Sequence, residues 1–252
     1  GKVNFITKIG NDKNGEMALN LYKSLGMDIA SIIQDKNHST GVAGIMVNEK
    51  TGDNAINIIP GAAGTLTNDD IEKNLNFIAN TDIFLTQLET PYDVTKYALK
   101  KAKENKLTTI LNPAPACQIN DDDFKLIDFF TPNETEAEFY LNKKIETEKD
   151  IKIASEEFLK KGIKNIVITL GEKGCYFAND KENFFMNAFK LKEPVVDTTG
   201  AGDAFNGALA VGLSKDLDIK EVLTFANKVG AISTTKQGAA ASMPSMEDLN
   251  NY

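Results

Sequence analysis

The chain has 252 residues, of which 42% are hydrophobic and 25% charged, and its formal net charge is −8. This length supports one sizeable core, and the basic residues are scattered instead of forming a stripe, which argues against nucleic acid and anionic membranes as partners. No apolar run reaches the roughly 18 residues of a membrane span, and the single histidine and two unpatterned cysteines argue against a His-based site and favour reduced thiols in a cytoplasmic protein.

Short β-rich runs alternate with helical segments along the chain, which predicts a mostly parallel sheet with helices on both faces. In the first unit a strand is predicted at 3–9. An apolar stripe of Met17, Leu21 and Leu25 then predicts a helix that ends at Gly26. The same alternation predicts later helices that begin at capping residues and buried strands between them. The helices start at Thr67, Thr90 and Thr147, and the strands lie at 82–89, 107–111, 126–130 and 165–170.

One region interrupts this alternation. Two strand-like runs at 41–47 and 54–59 are joined by the turn-rich connector Glu49–Asp53, which predicts a β-hairpin. A hairpin of this kind is a candidate flap over a site. We therefore expect a single domain over residues 1–252, with the hairpin at 40–60 as part of a lid.

The segment from Val195 to Ala210 predicts a strand end, a turn of small residues and then an apolar helix from Ala201. Small residues leave backbone N–H groups accessible, and with the positive end of the helix they form an anion hole suited to a phosphoryl group in transfer. Asp203 lies where a carboxylate could take a proton from an attacking hydroxyl. The alternative is that Asp203 only complements the helix dipole and that the glycines only form a tight turn.

Two further segments follow predicted strands. Thr131–Glu136 places Asn133, Glu134 and Glu136 in one turn, where their oxygens could hold Mg²⁺ directly or through water, or could simply cap a helix. Thr169–Gly174 ends a strand with two glycines, as a loop against a nucleotide would, although a plain β-turn has the same pattern.

These three segments, together with Asn112–Ala116 and Gln87–Glu89, resemble the ribokinase (PfkB) family of carbohydrate kinases from Gly1 to about Pro244. The resemblance implies a ribokinase-like three-layer, doubly wound α/β fold with a small β lid. It implies a kinase that moves the γ-phosphoryl group of ATP to the 5-hydroxyl of D-ribose in ribose catabolism, with Mg²⁺ and with K⁺ as activator. It also implies a homodimer formed through the lid. Open alternatives are a same-family kinase for fructose or a nucleoside, and an inactive nucleotide-binding module.

The resemblance also implies a role for each matching residue. Asp203 would be the catalytic base and touch the sugar, and Glu89 would contact the sugar. The anion hole would consist of Gly200, Ala201 and Gly202. Nucleotide contacts would come from Asn133, Thr169, Gly171, Gly174, Gly202 and Asn227. Glu136 would serve Mg²⁺. The K⁺ loop would act mostly through backbone carbonyls and would consist of Asp197, Thr199, Ser233, Lys236, Gly238 and Ser242.

The family pattern also begins with a strand that bears an aspartate for the sugar, followed by a Gly-Gly sugar-binding segment. Neither feature has a match within residues 1–252. We therefore expect this sequence to lack part of the family's sugar site.

Overall fold

The computed structural model describes residues 1–47 and 54–252. The strands in these ranges are β1 (Thr7–Gly10), β2 (Ile32–Asp35), β3 (Thr40–Val47), β4 (Asn54–Gly61), β5 (Ile83–Thr86), β6 (Thr108–Leu111), β7 (Phe129–Phe130), β8 (Asn165–Thr169), β9 (Cys175–Asn179) and β10 (Asn183–Met186). The α-helices are α1 (Lys13–Ser24), α2 (Asn68–Glu72), α3 (Leu75–Ala79), α4 (Tyr92–Glu104), α5 (Glu134–Leu141), α6 (Glu148–Lys160), α7 (Ala201–Leu213), α8 (Ile219–Ser233) and α9 (Met246–Asn250).

Within the described residues the main sheet has six strands, in the order β10-β9-β8-β7-β6-β5. Strands β5 to β8 run parallel, whereas β9 and β10 pair antiparallel at one side. Side chains on β8 alternate between two cores: Ile166 and Ile168 pack with α5 and α6, and Val167 packs with α7 and α8. The sheet is therefore buried between two helical layers, which confirms the predicted three-layer, mostly parallel α/β fold.

Several helix boundaries were predicted correctly from local sequence signals. Thr67 with Asp70, and Thr147 with Asp150, form capping boxes in which each side chain bonds the other's backbone N–H. Gly26 has a φ of 70°, the left-handed conformation that commonly follows a helix. The segment after Thr67 forms two short helices, α2 and α3, instead of one continuous helix.

The first unit differs from its prediction in two ways. Strand β1 pairs in parallel with β2 in a separate two-stranded sheet. The stripe on α1 is not buried, because Met17 is 66%, Leu21 41% and Leu25 66% exposed. The buried residue of the helix is Gly15, where a Cβ would lie 2.1 Å from Gly10 O. The helix packs against Gly10 through Gly15, and the apolar stripe therefore faces solvent.

The predicted hairpin is present as β3 and β4, which pair antiparallel with Val42 opposite Ile59 and Met46 opposite Ala55. Several of its apolar side chains are exposed, among them Met46 at 65% and Ile59 at 59%. The predicted connector Glu49–Asp53 lies outside the described residues.

Two further features concern the length of the helices and the state of the cysteines. None of the helices in the described ranges combines the length and apolar character that crossing a bilayer requires. Cys117 and Cys175 are both free, and burial raises the pKa of Cys175 to about 11. A thiol with a raised pKa forms little thiolate, so Cys175 suits a packing role better than a nucleophilic one.

Candidate active site

The carboxyl ends of the parallel strands β5 to β8 lie along one edge of the sheet. Polar residues follow three of these strands directly: Gln87 after β5, Asn112 after β6 and Thr131 after β7. A hydrogen bond of 2.7 Å from Gln87 Nε2 to Asp203 Oδ1 brings the first turn of α7 to the same edge. Open α/β sheets bind ligands at this edge, so the candidate active site lies here.

The start of α7 provides accessible backbone N–H groups. Gly200 is the N-cap and has a φ of 77°, and Ala201 begins the helix. Helix geometry leaves the first-turn amides without a carbonyl partner inside the helix, and the dipole makes that end positive. A Cβ built on Gly202 meets no protein atom within 4 Å, so the space beside this residue is open. The geometry at Gly202 therefore suits an approaching anion.

The predicted anion hole also contains a residue that is already engaged. The Ala201 N–H donates to Thr198 O over 3.2 Å and closes the turn before the helix. This amide thus stabilises the loop, whereas those of Gly202 and Asp203 belong to the unpaired first turn.

Two carboxylates share this cleft. Desolvation by the surrounding protein raises the pKa of Asp203, and the hydrogen bond from Gln87 opposes that rise. Desolvation likewise raises the pKa of Glu89, and the nearby charge of Asp203 raises it further. Asp203 and the predicted sugar contact Glu89 therefore lie within electrostatic reach of each other, and a general base with a raised pKa accepts a proton more readily.

The predicted magnesium segment forms a helix cap. Asn133 is the N-cap of α5: its Oδ1 accepts from Glu136 N, and Glu136 Oε2 accepts from Asn133 N, both over 2.8 Å. Burial raises the pKa of Glu136, and the Asn133 hydrogen bond opposes this. In the described part of the chain, no group of three His, Cys, Asp or Glu side chains is close enough to hold a metal. The structure thus establishes the capping role, and a metal role remains a prediction.

The predicted nucleotide loop adjoins this cap. Thr169 N donates to Pro132 O over 2.9 Å, and Thr169 bridges in parallel with Asn133. Both loop glycines have positive φ, but their surroundings differ. Gly171, at 55°, has open space where a Cβ would lie, whereas a Cβ on Gly174, at 101°, would lie 2.0 Å from Met186 O. Gly174 is thus needed for backbone packing, and Gly171 borders open space.

Asn227 lies on α8 next to the start of β9. Its Nδ2 donates to Cys175 Sγ over 3.5 Å, and this contact places it beside the residue that follows Gly174. The predicted adenine contact and the predicted glycine loop are therefore neighbours in the fold, although they are far apart in the sequence.

The predicted monovalent-cation loop is tied together by Asp197. Its Oδ1 accepts from Thr199 N and its Oδ2 from Gly238 N, each over 2.9 Å. Hydrogen bonds from Thr199 and Gly238 hold the pKa of Asp197 below its usual value. The Asp197 N–H donates to Thr234 O over 3.1 Å, which joins this loop to the end of α8.

The remaining members of that loop make ordinary structural contacts. Ser233 and Ser242 are fully buried and donate to the carbonyls of Gly230 and Ala239. Lys236 Nζ pairs with Asp248 on α9 over 2.9 Å. These contacts bring the segments of the predicted loop together. Binding of a cation by this loop remains a prediction.

One residue of this site, Asn206, was not predicted from the sequence. Asn206 is 2% exposed, donates to Gly202 O over 2.9 Å and accepts from Thr131 Oγ1 over 2.7 Å. Its signal in the sequence is a single amide within the otherwise small or apolar run Ala204–Ala210. A buried polar group in such a run needs partners, which points to a network at the start of α7.

The mostly parallel sheet, with helices on both faces and polar side chains at its carboxyl edge, defines a doubly wound α/β protein of the kind that supports nucleotide-dependent enzymes. The model of the pfkB family of carbohydrate kinases matches residues 1–246, and the chain belongs to that family. This confirms the family resemblance drawn from the sequence.

The chain is similar along nearly its whole length to proteins named for pentose phosphorylation. It is 38% identical to a ribokinase of Staphylococcus aureus, and the match covers 98% of this chain and 80% of the relative. It is 32% identical to a deoxyribokinase of Salmonella typhi, with 100% of this chain and 81% of the relative covered. The solved structure of Arabidopsis thaliana ribokinase complexed with ribose and ATP matches with a TM-score of 0.86 at 27% identity, covering 98% of this chain and 80% of that one.

Proposed function

We propose that the protein is an ATP-dependent sugar kinase that transfers the γ-phosphoryl group to the 5-hydroxyl of D-ribose and gives ribose 5-phosphate. The observation that carries this proposal is Asp203 in the first turn of α7, beside open first-turn amides and with its pKa raised by desolvation. Membership of the carbohydrate kinase family supports the phosphoryl transfer. The likeness to ribokinases supports ribose as the acceptor.

In the proposed mechanism Asp203 accepts the proton of the attacking hydroxyl. Its raised pKa brings it closer to the pH at which a base is most effective. The N–H groups at Gly200–Gly202 take up the charge that builds on the transferred phosphoryl group, with Gly202 contributing most because Ala201 already bonds Thr198 O. Glu89 accepts hydrogen bonds from sugar hydroxyls and fixes the orientation of the acceptor.

The nucleotide is proposed to lie along the edge formed by Thr169, Gly171, Gly174 and Asn227, with Asn133 near its phosphates. Thr169 and Asn133 adjoin each other, and Gly171 borders open space, which supports this placement. A single carboxylate suits Mg²⁺, which keeps several waters and binds substrate phosphates, so Glu136 would hold the ion through water. Bound Mg²⁺ would neutralise phosphate charge.

The K⁺ site is proposed in the loop that Asp197 ties to Gly238, with Thr199, Ser233, Lys236 and Ser242 as the other members. Its support is the close approach of these segments beside the start of α7. A cation bound there would stabilise the loop that precedes the proposed anion hole.

Assembly and surroundings are proposed as well. The hairpin of β3 and β4 would close over the sugar as a lid, and the exposed apolar side chains of Met46 and Ile59 support a homodimer formed through it. Two free cysteines suit the reducing cytoplasm. We propose a single kinase domain with this hairpin as its lid.

The proposal is tested by comparing acceptors side by side. The complete protein would be assayed with ATP and Mg²⁺ on D-ribose, 2-deoxy-D-ribose, D-fructose and adenosine, with ADP release as the readout. We expect the highest kcat/KM for D-ribose. A higher value for another acceptor would replace ribose with that sugar or nucleoside. ATP binding without turnover of any acceptor would instead favour an inactive nucleotide-binding module.

A further inference from the structure

A ring of hydrogen bonds joins the carboxyl ends of three strands to the first turn of α7. Gln87 Nε2 donates to Asp203 Oδ1 over 2.7 Å and, over a longer 3.5 Å, to Asn112 Oδ1. Asn112 Nδ2 donates to Thr131 O over 3.1 Å. The hydroxyl of Thr131 donates to Asn206 Oδ1, and Asn206 Nδ2 donates back to Gly202 O.

Most of this ring is buried. Asn112 is 8%, Thr131 1% and Asn206 2% exposed. Burying an amide or hydroxyl costs free energy unless its hydrogen bonds are made, so satisfied buried networks hold their members in one arrangement. The Gly202 carbonyl can only accept, so Asn206 Nδ2 must face it, and Asn206 Oδ1 then accepts from the Thr131 hydroxyl. The ring therefore has one defined direction.

The member that reaches the base is Gln87. An N–H that donates to a carboxylate stabilises the ionised form, and the Gln87 bond lowers the pKa of Asp203 against the larger effect of desolvation. A carboxylate has two oxygens, so a donor at Oδ1 orients the group and still allows Oδ2 to accept a proton. The second Nε2 hydrogen of Gln87 can bond Asn112, which limits rotation of the glutamine amide.

We propose that Gln87 is a positioning residue that keeps the Asp203 carboxylate ionised and correctly oriented. The ring through Asn112, Thr131 and Asn206 fixes Gln87 and the first turn of α7 relative to each other. This inference rests on the proposed function, because it assigns Gln87 a role in that reaction. It predicts that Gln87 affects the rate of the chemical step and its pH dependence more than the binding of either substrate.

The test is Gln87→Met in the complete protein, since methionine is similar in size and cannot donate. We expect kcat on D-ribose to fall about 30-fold, a size typical of losing a hydrogen bond to a charged group. KM for ATP should stay within about twofold, because Gln87 bonds the base and does not belong to the segments proposed to hold the nucleotide. The acidic limb of the pH profile of kcat should shift to higher pH by about half a unit or more, because the variant lacks the hydrogen bond that favours the ionised carboxylate.

Gln118→Met is the matched control, because Gln118 is exposed and lies outside the ring. Gln87→Glu is a second variant, in which a carboxylate beside Asp203 should move the acidic limb further up than methionine does. Thermal unfolding of each variant verifies that the protein is folded.

The outcomes separate the inference from the proposed function. If the parent protein is active and Gln87→Met leaves both kcat and the acidic limb of its pH profile unchanged, the positioning role is overturned. A rise in the KM for ribose with kcat unchanged would also overturn it and make Gln87 a sugar contact. A parent protein that binds ATP and phosphorylates no acceptor would overturn the proposed function and this inference with it.

Discussion

Replacing Gly202 with alanine tests the proposed anion hole without disturbing the fold. Gly202 has no positive φ, and a Cβ there meets no protein atom within 4 Å. Alanine is favoured over glycine in a helix by up to about 1 kcal/mol, although less in the first turn. The free energy of unfolding should therefore stay the same or rise slightly, and for a chain of this size Tm should rise by no more than about 4 °C.

The effect on catalysis should be opposite in sign. The added methyl group would occupy open space beside the first-turn amides, where the transferred phosphoryl group is proposed to lie. An anion displaced from one such donor loses stabilisation comparable to deletion of an oxyanion-hole donor, which costs about 100-fold to 1,000-fold in kcat. We expect kcat/KM for D-ribose to fall by at least about 100-fold.

Gly207→Ala is the matched control, because Gly207 lies in the same helix and its Cβ would also meet nothing within 4 Å. Both variants would be measured by thermal unfolding and by ADP release. We expect Gly207→Ala to keep its activity. Full activity in Gly202→Ala would refute the anion hole, and a loss of stability in Gly202→Ala would show that the added methyl group is not in open space.

Two further predictions concern stability. Gly174→Ala should destabilise the protein by more than about 3 kcal/mol, because its Cβ would lie 2.0 Å from Met186 O, whereas Gly171→Ala should cost only about 1 kcal/mol for its positive φ. Chemical denaturation measures both, and equal losses would contradict the distinction. For buried Asp128, desolvation raises the pKa, but bonds from Lys103, Lys164 and Thr109 outweigh it and leave the pKa lowered. The contribution of ionised Asp128 to the stability of the fold is therefore complete above the unfolded-state pKa of about 4. It is lost as the pH falls through the lower folded-state pKa. Asp128→Asn should cost about 2 kcal/mol at pH 7 and less at pH 3, as measured by urea unfolding, and an equal loss at both values would contradict this.

Local features of the fold could be predicted from the sequence. The capping boxes at Thr67 and Thr147 depend on residues three positions apart, so neighbouring residues determine them. The exposure of Met17 on α1 could not be predicted, because it depends on the docking of Gly15 against Gly10, and a helical period does not specify the packing partner.

The candidate site shows the same division. Gly202 and Asp203 could be assigned to the start of a helix because they belong to one contiguous segment. The bond from Gln87 to Asp203 joins residues 116 positions apart, so no local pattern contains it. Asn133 and Glu136 fit both a helix cap and a metal site in the sequence, and the structure establishes the cap.

Asp203→Asn tests the central claim most directly, because asparagine keeps the shape of the side chain and cannot act as the base. Asp180→Asn, at an exposed turn between β9 and β10, is the control. Initial rates of ADP release with saturating D-ribose, ATP and Mg²⁺ give kcat for each protein. We predict that Asp203→Asn lowers kcat by about 100-fold to 10,000-fold and leaves ATP binding nearly unchanged, while Asp180→Asn matches the parent. A near-parental kcat in Asp203→Asn would contradict the assignment of the catalytic base.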